Sequence, residues 1–339
     1  MKTLYEFISE GILDNVEDSL VNGSTYAAVE EWLNNTYNIA KGAGSDGTYE
    51  IIVSKNDCVV NVNGDIRMRQ TRGGYDSLTN GMFRFGIING SFYANYQNLK
   101  NLEDSPREVR SEFSVEHNMC EFTCEGGPDK VGGIKLGNNC ISLEGMPYDA
   151  GSYLYCKESK LKSLKGCGKS REYHFENNEH LETTDGIPAG ECTRICLNGC
   201  KKLKSLKDLE NVIPGELILT SCKALKSLEG LPIKFASRYN NSPALLELND
   251  LNVKSLKGIS SNSNWTNVKA DISGCDKLED ISMLPKCHTL VAKFLPSLSE
   301  ECYNNLKTYV IDPINVSYMS FPMPKARKSR VRGGLYMTV

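Results

Sequence analysis

Cysteine and histidine are the side chains of this 339-residue sequence best suited to bind a metal ion or to act as nucleophiles. Two clusters have the spacing of partial zinc sites: Cys192-x₃-Cys196-x₃-Cys200 and Cys120-x₃-Cys124, with His174 and His180 nearby in the sequence. A structural zinc site needs four thiolate or imidazole ligands, commonly from two close cysteine pairs. Cys196 falls inside a predicted strand and Cys200 after it, so their side chains should point in different directions. We therefore predict structural, reduced thiols and no metal site.

Motifs for other chemistry are missing from the sequence. It contains no Gly-rich phosphate loop, no His-Glu-x-x-His and no nucleophile elbow. Its four histidines have no spacing that suggests a catalytic triad, and many carboxylates lie in Leu-Glu-Gly turns, where we expect them to be exposed. We therefore predict a protein that is not an enzyme and needs no cofactor. An enzyme with an unrecognised site, in residues 41–90 or 237–262, remains an alternative.

The most basic segment lies near the carboxyl end, with five positive charges in eight residues: Lys325, Arg327, Lys328, Arg330 and Arg332. Such a run can make sequence-independent contacts with phosphates, although it is more often a solvated tail. The net charge of −3 gives no global preference for nucleic acid. We predict weak, nonspecific contact with nucleic acid through this tail at most. No apolar run approaches the length of a membrane-spanning helix, so we predict no membrane partner.

A repeat of about twenty residues organises the chain between Leu78 and Ile281. Its central phrase is Leu-x-Ser-Leu, followed by Glu or Lys and then Gly. The second leucine, which we call the anchor leucine, recurs at Leu143, Leu164, Leu206, Leu228 and Leu256. Upstream of Leu143, Phe122 is predicted to stand at the anchor position. The gap from Leu228 to Leu256 is longer than the others and predicts an insertion around 237–248. A fixed period of this length predicts units that bury their apolar side only by stacking on their neighbours.

A short alternating stretch, such as Tyr153-Leu-Tyr-Cys156, precedes each anchor segment and predicts a strand. Three residues before the first leucine of four units stands a cysteine or asparagine: Asn178, Cys200, Cys222 and Cys275. The pattern resembles the leucine-rich repeat, although the segment after the strand is too short for a full helix. The resemblance implies a mainly β, leucine-rich-repeat-like solenoid with a single parallel sheet of short strands, preceded by a small α+β N-terminal cap.

Alternation along the strands also predicts which side chains face away from the core. In this register Tyr93, Tyr155, His174, Cys196 and Ile218 point outward from the sheet. A register error of one residue would invert the whole set. We expect a broad concave sheet, and we predict that Tyr93, Tyr155, His174 and Ile218 contact a protein partner.

Composition divides the chain into four parts. Residues 1–40 are predicted to form a helical targeting or docking segment, 41–75 a β-hairpin cap, 76–296 the solenoid, and 297–339 a C-terminal cap with the basic tail. A linker is predicted from Asn38 to Gly47, and Ser297 with Glu300 predicts the start of a closing helix. Caps are expected because the terminal units of a solenoid would otherwise expose their apolar edges.

The first residues resemble the capsid-targeting leader of internal head proteins in T4-like phages. The matching positions are Met1, Lys2, Thr3, Glu6, Phe7, Ile8 and Glu10. In that family the leader docks the protein to the head, and a protease can cut after the last glutamate, here between Glu10 and Gly11. Similar leaders precede Ser-Leu-Glu-Gly-x-Pro repeat proteins in other large tailed phages. A plain amphipathic helix is the alternative for this segment.

These observations predict a non-enzymatic, virion-associated phage protein, packaged in the head or bound to the capsid, that binds proteins through its solenoid. An alternative is a phage protein delivered into the host that binds and inhibits a host or defence factor. The expected location is accordingly the phage head or the host cytoplasm. The expected partners are capsid or other virion proteins, or a host protein.

Overall fold

The structure is a computed structural model that describes residues 18–42, 46–54, 57–237, 241–311 and 316–318. Its helices are α1 (Asp18–Thr36) and α2 (Glu300–Asn304), with single 3₁₀ turns at Leu209–Asn211 and Leu306–Tyr309. The strands are β1 (Tyr37–Ala40), β2 (Thr48–Ser54), β3 (Asp57–Asn63), β4 (Asp65–Met68), β5 (Arg84–Ile88), β6 (Phe92–Tyr93), β7 (Glu108–Val115), β8 (Phe122–Thr123), β9 (Lys130–Leu136), β10 (Cys140–Ser142), β11 (Tyr153–Cys156), β12 (Glu172–His174), β13 (Gly190–Cys196), β14 (Val212–Ile218), β15 (Ala244–Glu247), β16 (Trp265–Asp271), β17 (Cys287–Ala292) and β18 (Val316–Tyr318).

The main sheet is a stack of parallel strands, one from each coil of the chain. From β6 its order is β6-β7-β9-β11-β12-β13-β14-β15-β16-β17-β18. Strands β8 and β10 form a separate two-stranded parallel sheet at the anchor segments. The prediction of a leucine-rich-repeat-like solenoid is confirmed, with about ten turns.

Two lines of buried side chains run the length of the solenoid. The first takes one residue from each strand in register: Phe92, Phe113, Ile134, Leu154, Tyr173, Ile195, Leu217, Leu246, Ala270 and Leu290. The second consists of the anchor leucines, each no more than 1% exposed: Leu143, Leu164, Leu206, Leu228 and Leu256. Each buried leucine stabilises the fold by roughly 1.5–3 kcal/mol, and the coils share one continuous core.

A polar ladder forms at the asparagine and cysteine positions that precede the first leucine of four units. Cys200, Cys222 and Cys275 are buried, and each thiol donates to a carbonyl oxygen of the preceding coil at 3.1–3.2 Å. Asn178 uses its carboxamide in the same place. Burial raises the pKa of Cys200 to about 12 and that of Cys275 to about 11. These thiols therefore stay protonated and serve as hydrogen-bond donors.

The N-terminal cap contains the predicted hairpin, because β2 and β3 pair antiparallel over seven residue pairs. The predicted linker is wrong at its start, and the segment 1–40 is not helical throughout. Tyr37–Ala40 forms β1, which pairs antiparallel with β4 and so covers the first edge of the main sheet. The buried Tyr37 ring packs against Phe85 and Phe92, and its hydroxyl donates to the Leu78 carbonyl.

The closing helix begins two residues later than the sequence predicts. Ser299 is its N-cap, because its Oγ accepts a hydrogen bond from the Cys302 amide at 3.2 Å. The Ser297 hydroxyl instead donates to the Asp276 carbonyl of the preceding coil at 2.6 Å. A tertiary contact between coils has thus displaced the local capping pattern.

Candidate binding surface on the strand face

The outward side chains of the parallel strands form a surface that we call the strand face. Strand register gives its middle row: Tyr93, Ser114, Lys135, Tyr155, His174, Cys196, Ile218, Glu247, Asp271 and Val291. The structure therefore brings the four predicted binding residues into one row. Tyr93 and Tyr155 are half-buried, whereas His174 is 7% and Ile218 is 8% exposed. Their role in binding stays a prediction.

An aromatic cluster, the aromatic centre, lies in the middle of this surface and consists of Tyr153, Tyr155 and His174 with Lys135 and Lys157. The ring centroids of Tyr153 and Tyr155 are 4.9 Å apart, and the His174 ring meets Tyr155 edge-on at 4.2 Å. The ammonium groups of Lys135 and Lys157 lie 5.9 Å and 5.0 Å from the Tyr155 centroid. Contacts of this cation–π type stabilise by about 0.5–1 kcal/mol each at exposed sites.

Glu112 on β7 joins two side chains of the aromatic centre. Its Oε2 accepts from the Tyr153 hydroxyl at 2.6 Å and from the Lys135 ammonium at 2.8 Å. The hydrogen bond to Glu112 raises the pKa of Lys135. Burial, and then the same carboxylate, raises the pKa of Tyr153. The surface consequently presents a fixed ammonium and a fixed hydroxyl at neutral pH.

His174 lies between two carboxylates of its own coil. Its Nδ1 is 3.1 Å from Glu176 Oε1 and its Nε2 is 3.3 Å from Glu172 Oε2. Lys157 Nζ adds an ion pair to Glu176 at 3.1 Å. Burial acts to raise the pKa of Glu176, but hydrogen bonds from His174, the backbone and Lys157 outweigh it and hold the pKa at about 2. The ring is therefore held on both sides and cannot turn freely.

Replacing Glu176 with Gln should lower the free energy of unfolding by about 2 kcal/mol at neutral pH, and the loss should fade in acid. The folded-state pKa of about 2 lies below the ordinary value of 4.5. The stabilisation by the Glu176 carboxylate is therefore complete at a pH above its ordinary pKa, and it disappears as the pH falls toward its pKa in the folded protein. Urea denaturation of both proteins at about pH 7, 5 and 3 measures this difference. A difference that stays constant over this range would contradict the assignment.

The side chains of Cys196 and Cys200 point in different directions, as the sequence predicts. Cys196 lies on the strand face and donates to Asn198 Oδ1 at 3.0 Å, while Cys200 points into the ladder. Burial, and then the nearby Glu176, raises the pKa of Cys196 to about 11, so its thiol is a weak nucleophile. Within the described ranges, no group of three or more His, Cys, Asp or Glu side chains is placed to hold a metal ion.

Sequence reasoning missed the residues beside the middle row. Tyr153 precedes Tyr155 by two residues, and Glu172 and Glu176 flank His174 by two on either side. Because side chains alternate with period two, these positions share the outward face and could have been found from the same register. The sequence did not mark Lys135 as a binding residue, because its contacts are with Glu112 and Tyr155 on the neighbouring strands.

The targeting residues Met1, Lys2, Thr3, Glu6, Phe7, Ile8, Glu10 and Gly11 and the basic tail Lys325, Arg327, Lys328, Arg330 and Arg332 lie outside the described residues. Neither helix in the described part of the chain is long and apolar enough to cross a bilayer. No protein-family model, curated protein or solved structure matches this chain.

Proposed function

We propose that this chain is a non-catalytic binding protein and that the aromatic centre of its strand face contacts a protein partner. The observation that carries the proposal is the cluster of three rings on two adjacent strands, in which Tyr155 contacts both Tyr153 on its own strand and His174 on the next. Tyrosine provides large contact area with few rotatable bonds, and it is enriched among residues that dominate binding energy. A further tyrosine, Tyr93, carries the Arg67 guanidinium 3.9 Å above its ring on the same face.

The charges of the aromatic centre support specificity rather than bulk affinity. Lys135 and Lys157 are each tied to a glutamate, at 2.8 Å and 3.1 Å. Because these groups are already oriented, a partner that meets them loses less side-chain entropy on binding. Complementary charge then selects the partner and its orientation.

The sequence supplies the biological setting of the proposal. The N-terminal segment resembles a phage head-targeting leader, which favours a phage protein packaged in or attached to the virion. Capsid or other virion proteins are then the first partners to test. A host or defence protein is the alternative partner.

Replacing Tyr155 with Ala should weaken binding at least about 30-fold, as expected for the loss of a central anchor of about 2 kcal/mol. Co-sedimentation of the purified full chain with emptied capsids of the phage that encodes it measures the affinity. Tyr148→Ala is the matched control, because Tyr148 is 76% exposed and also contacts a lysine, with Lys169 Nζ 5.2 Å from its ring.

Equal losses in both variants would contradict a role for the strand face. The host-directed alternative would be supported if the wild-type protein did not bind capsids but bound a purified host protein through Tyr155. Mass spectrometry of purified virions tests the setting separately, and peptides beginning at Gly11 would establish processing of the leader.

A further inference from the structure

Lysine is concentrated along one edge of three successive coils, away from the strand face. Segments 201–207, 223–229 and 252–258 hold eight lysines and one acidic residue, Glu229. All eight side chains are exposed, and we call them the lysine ridge: Lys201, Lys202, Lys204, Lys207, Lys223, Lys226, Lys254 and Lys257. Because the whole chain has a net charge of −3, this edge is a local reversal of sign.

The coil before the ridge shows how this fold neutralises such lysines. Three of its carboxylates form ion pairs in register, at 2.9–3.0 Å: Glu179 with Lys201, Glu182 with Lys204 and Asp185 with Lys207. The backbone fixes the register, since the Lys204 amide donates to the Glu182 carbonyl at 2.8 Å. Further along, Lys223 is paired with Asp250. The protein itself compensates these four lysines.

The alternation of charge ends in the next two coils. Lys226 and then Lys254 occupy the position that Glu182 holds, two residues before the anchor position. These coils stack in register, because the Leu228 amide donates to the Lys257 carbonyl at 3.0 Å. In the part of the chain that the structure describes, no carboxylate oxygen lies within 4.0 Å of the Lys226 or Lys254 ammonium. Lys202 and Lys257 likewise have no ion pair there.

A row of like charges on stacked coils opposes folding. Neighbouring parallel strands are about 4.8 Å apart, so Lys204, Lys226 and Lys254 follow one another at a spacing where like charges repel. A single glutamate at 226 would relieve the repulsion, as Glu182 does for Lys204 two coils before it. Glu279 holds the same position in the following coil, where its amide donates to the Lys254 carbonyl at 2.8 Å, so the row of lysines ends at Lys254. A row of three lysines with no carboxylate between them is expected where an external anion supplies the missing charge.

We propose that the lysine ridge binds the phosphate backbone of double-stranded DNA without sequence preference. Phosphate oxygens accept hydrogen bonds from ammonium groups and hydroxyls, and Ser205 and Ser255 each stand between two lysines of the ridge. A protein partner requires aromatic or large apolar anchors, and single-stranded nucleic acid requires exposed rings for base stacking. The leucines and the valine of the three segments are all buried, so the ridge exposes neither. This inference is independent of the strand face and its partner.

Replacing Lys226 with Glu separates binding from folding. The new carboxylate would face Lys204 and Lys254 and restore the alternation, so the melting temperature should equal or exceed that of the wild type. Affinity for a mixed-sequence duplex of about 20 base pairs should fall about tenfold, and the slope of log affinity against log salt should shrink by roughly 1–2. Fluorescence anisotropy of the full chain measures both, and the basic tail contributes equally to every variant.

Two variants sharpen the test. Lys100→Glu is the matched control, because Lys100 is exposed and holds the same repeat position in an N-terminal coil. It should leave duplex affinity unchanged within about twofold. Glu182→Lys extends the ridge by one coil and should tighten duplex binding. Unchanged affinity in Lys226→Glu would overturn the proposal. Tighter binding of the wild type to polyglutamate or to single-stranded DNA than to the duplex would also overturn it.

Discussion

Replacing Asn178 with Ala should lower the free energy of unfolding by about 3 kcal/mol. The side chain is fully buried, and its Nδ2 donates to the carbonyls of Cys156 at 2.7 Å and Phe175 at 3.0 Å. Its Oδ1 accepts from the Ser159 amide at 2.5 Å. Alanine would leave the Cys156 carbonyl and the Ser159 amide without partners, away from water, while the Phe175 carbonyl would keep the Cys200 thiol as a donor. Each buried unsatisfied group costs about 1–3 kcal/mol, and local relaxation recovers part of the sum.

The ladder supplies a graded control for this prediction. Cys200 fills the same place in the next coil and donates through its thiol to the Phe175 carbonyl at 3.1 Å. Asn178→Cys should therefore keep one donor and cost about 1–2 kcal/mol. Asn252→Ala removes an exposed amide that donates to the Lys223 carbonyl at 3.1 Å, and it should cost less than about 1 kcal/mol. Chemical denaturation gives all three values, and equal losses for Asn178→Ala and Asn252→Ala would contradict a structural ladder.

The architecture could be predicted because two independent signals agree. The leucine period determines which side chains are buried, and the asparagine and cysteine positions mark the turn after each strand. Both depend only on residues within one unit, so a single sequence carries them. The buried Leu143 and Leu206 and the hydrogen-bonded Cys222 are where this reasoning places them.

Errors arose where a unit departs from the standard length. Phe122 was expected at an anchor position, yet it pairs with Cys140, which stands in place of a first leucine. Cys124 is the residue at the anchor line, since its amide donates to the Ser142 carbonyl of the next coil. The unit is one residue short, and the pattern in the sequence does not show where the residue is lost.

The predicted insertion shows the same limit. Residues 237–248 were expected to lie outside the regular repeat, but Ala244–Glu247 is β15 and pairs with both β14 and β16. The extra length therefore precedes the strand. The predicted insertion combines two kinds of sequence: the polar residues around Asn241 resemble a loop, whereas Leu246 and Leu248 are buried core residues.

The candidate surface could be predicted only along one row. Alternation within a strand located Tyr155 and His174, because that information is local. The partners of these residues lie far away in the sequence, and Glu112 and Tyr153, which share a hydrogen bond, are 41 positions apart. The lysine ridge has the same character. Its residues are plain in the sequence, but only the stacking of the coils shows that Lys204 has a carboxylate partner and that Lys226 has none among the described residues.

Replacing Gly186 with Ala should lower the free energy of unfolding by about 4 kcal/mol, because two costs add. Its φ of +100° lies in a region that L-residues avoid, which costs about 1–2 kcal/mol. An added Cβ would also lie 2.5 Å from Lys165 Cα and 2.7 Å from the Leu164 carbonyl carbon. Both atoms belong to the backbone of the preceding coil, so relief requires the two coils to move apart along the solenoid.

Gly81→Ala distinguishes the two costs. Gly81 has a φ of +67°, and an added Cβ would meet no atom within 4 Å. This variant should lose only the conformational part, about 1 kcal/mol. Denaturation of the two variants in parallel then isolates the steric contribution of coil stacking. If both variants lost the same amount, the close approach of the coils at Gly186 would contribute nothing to stability. The coils would then tolerate a wider spacing than the structure shows, where the Leu164 amide donates to the Asp185 carbonyl at 3.0 Å.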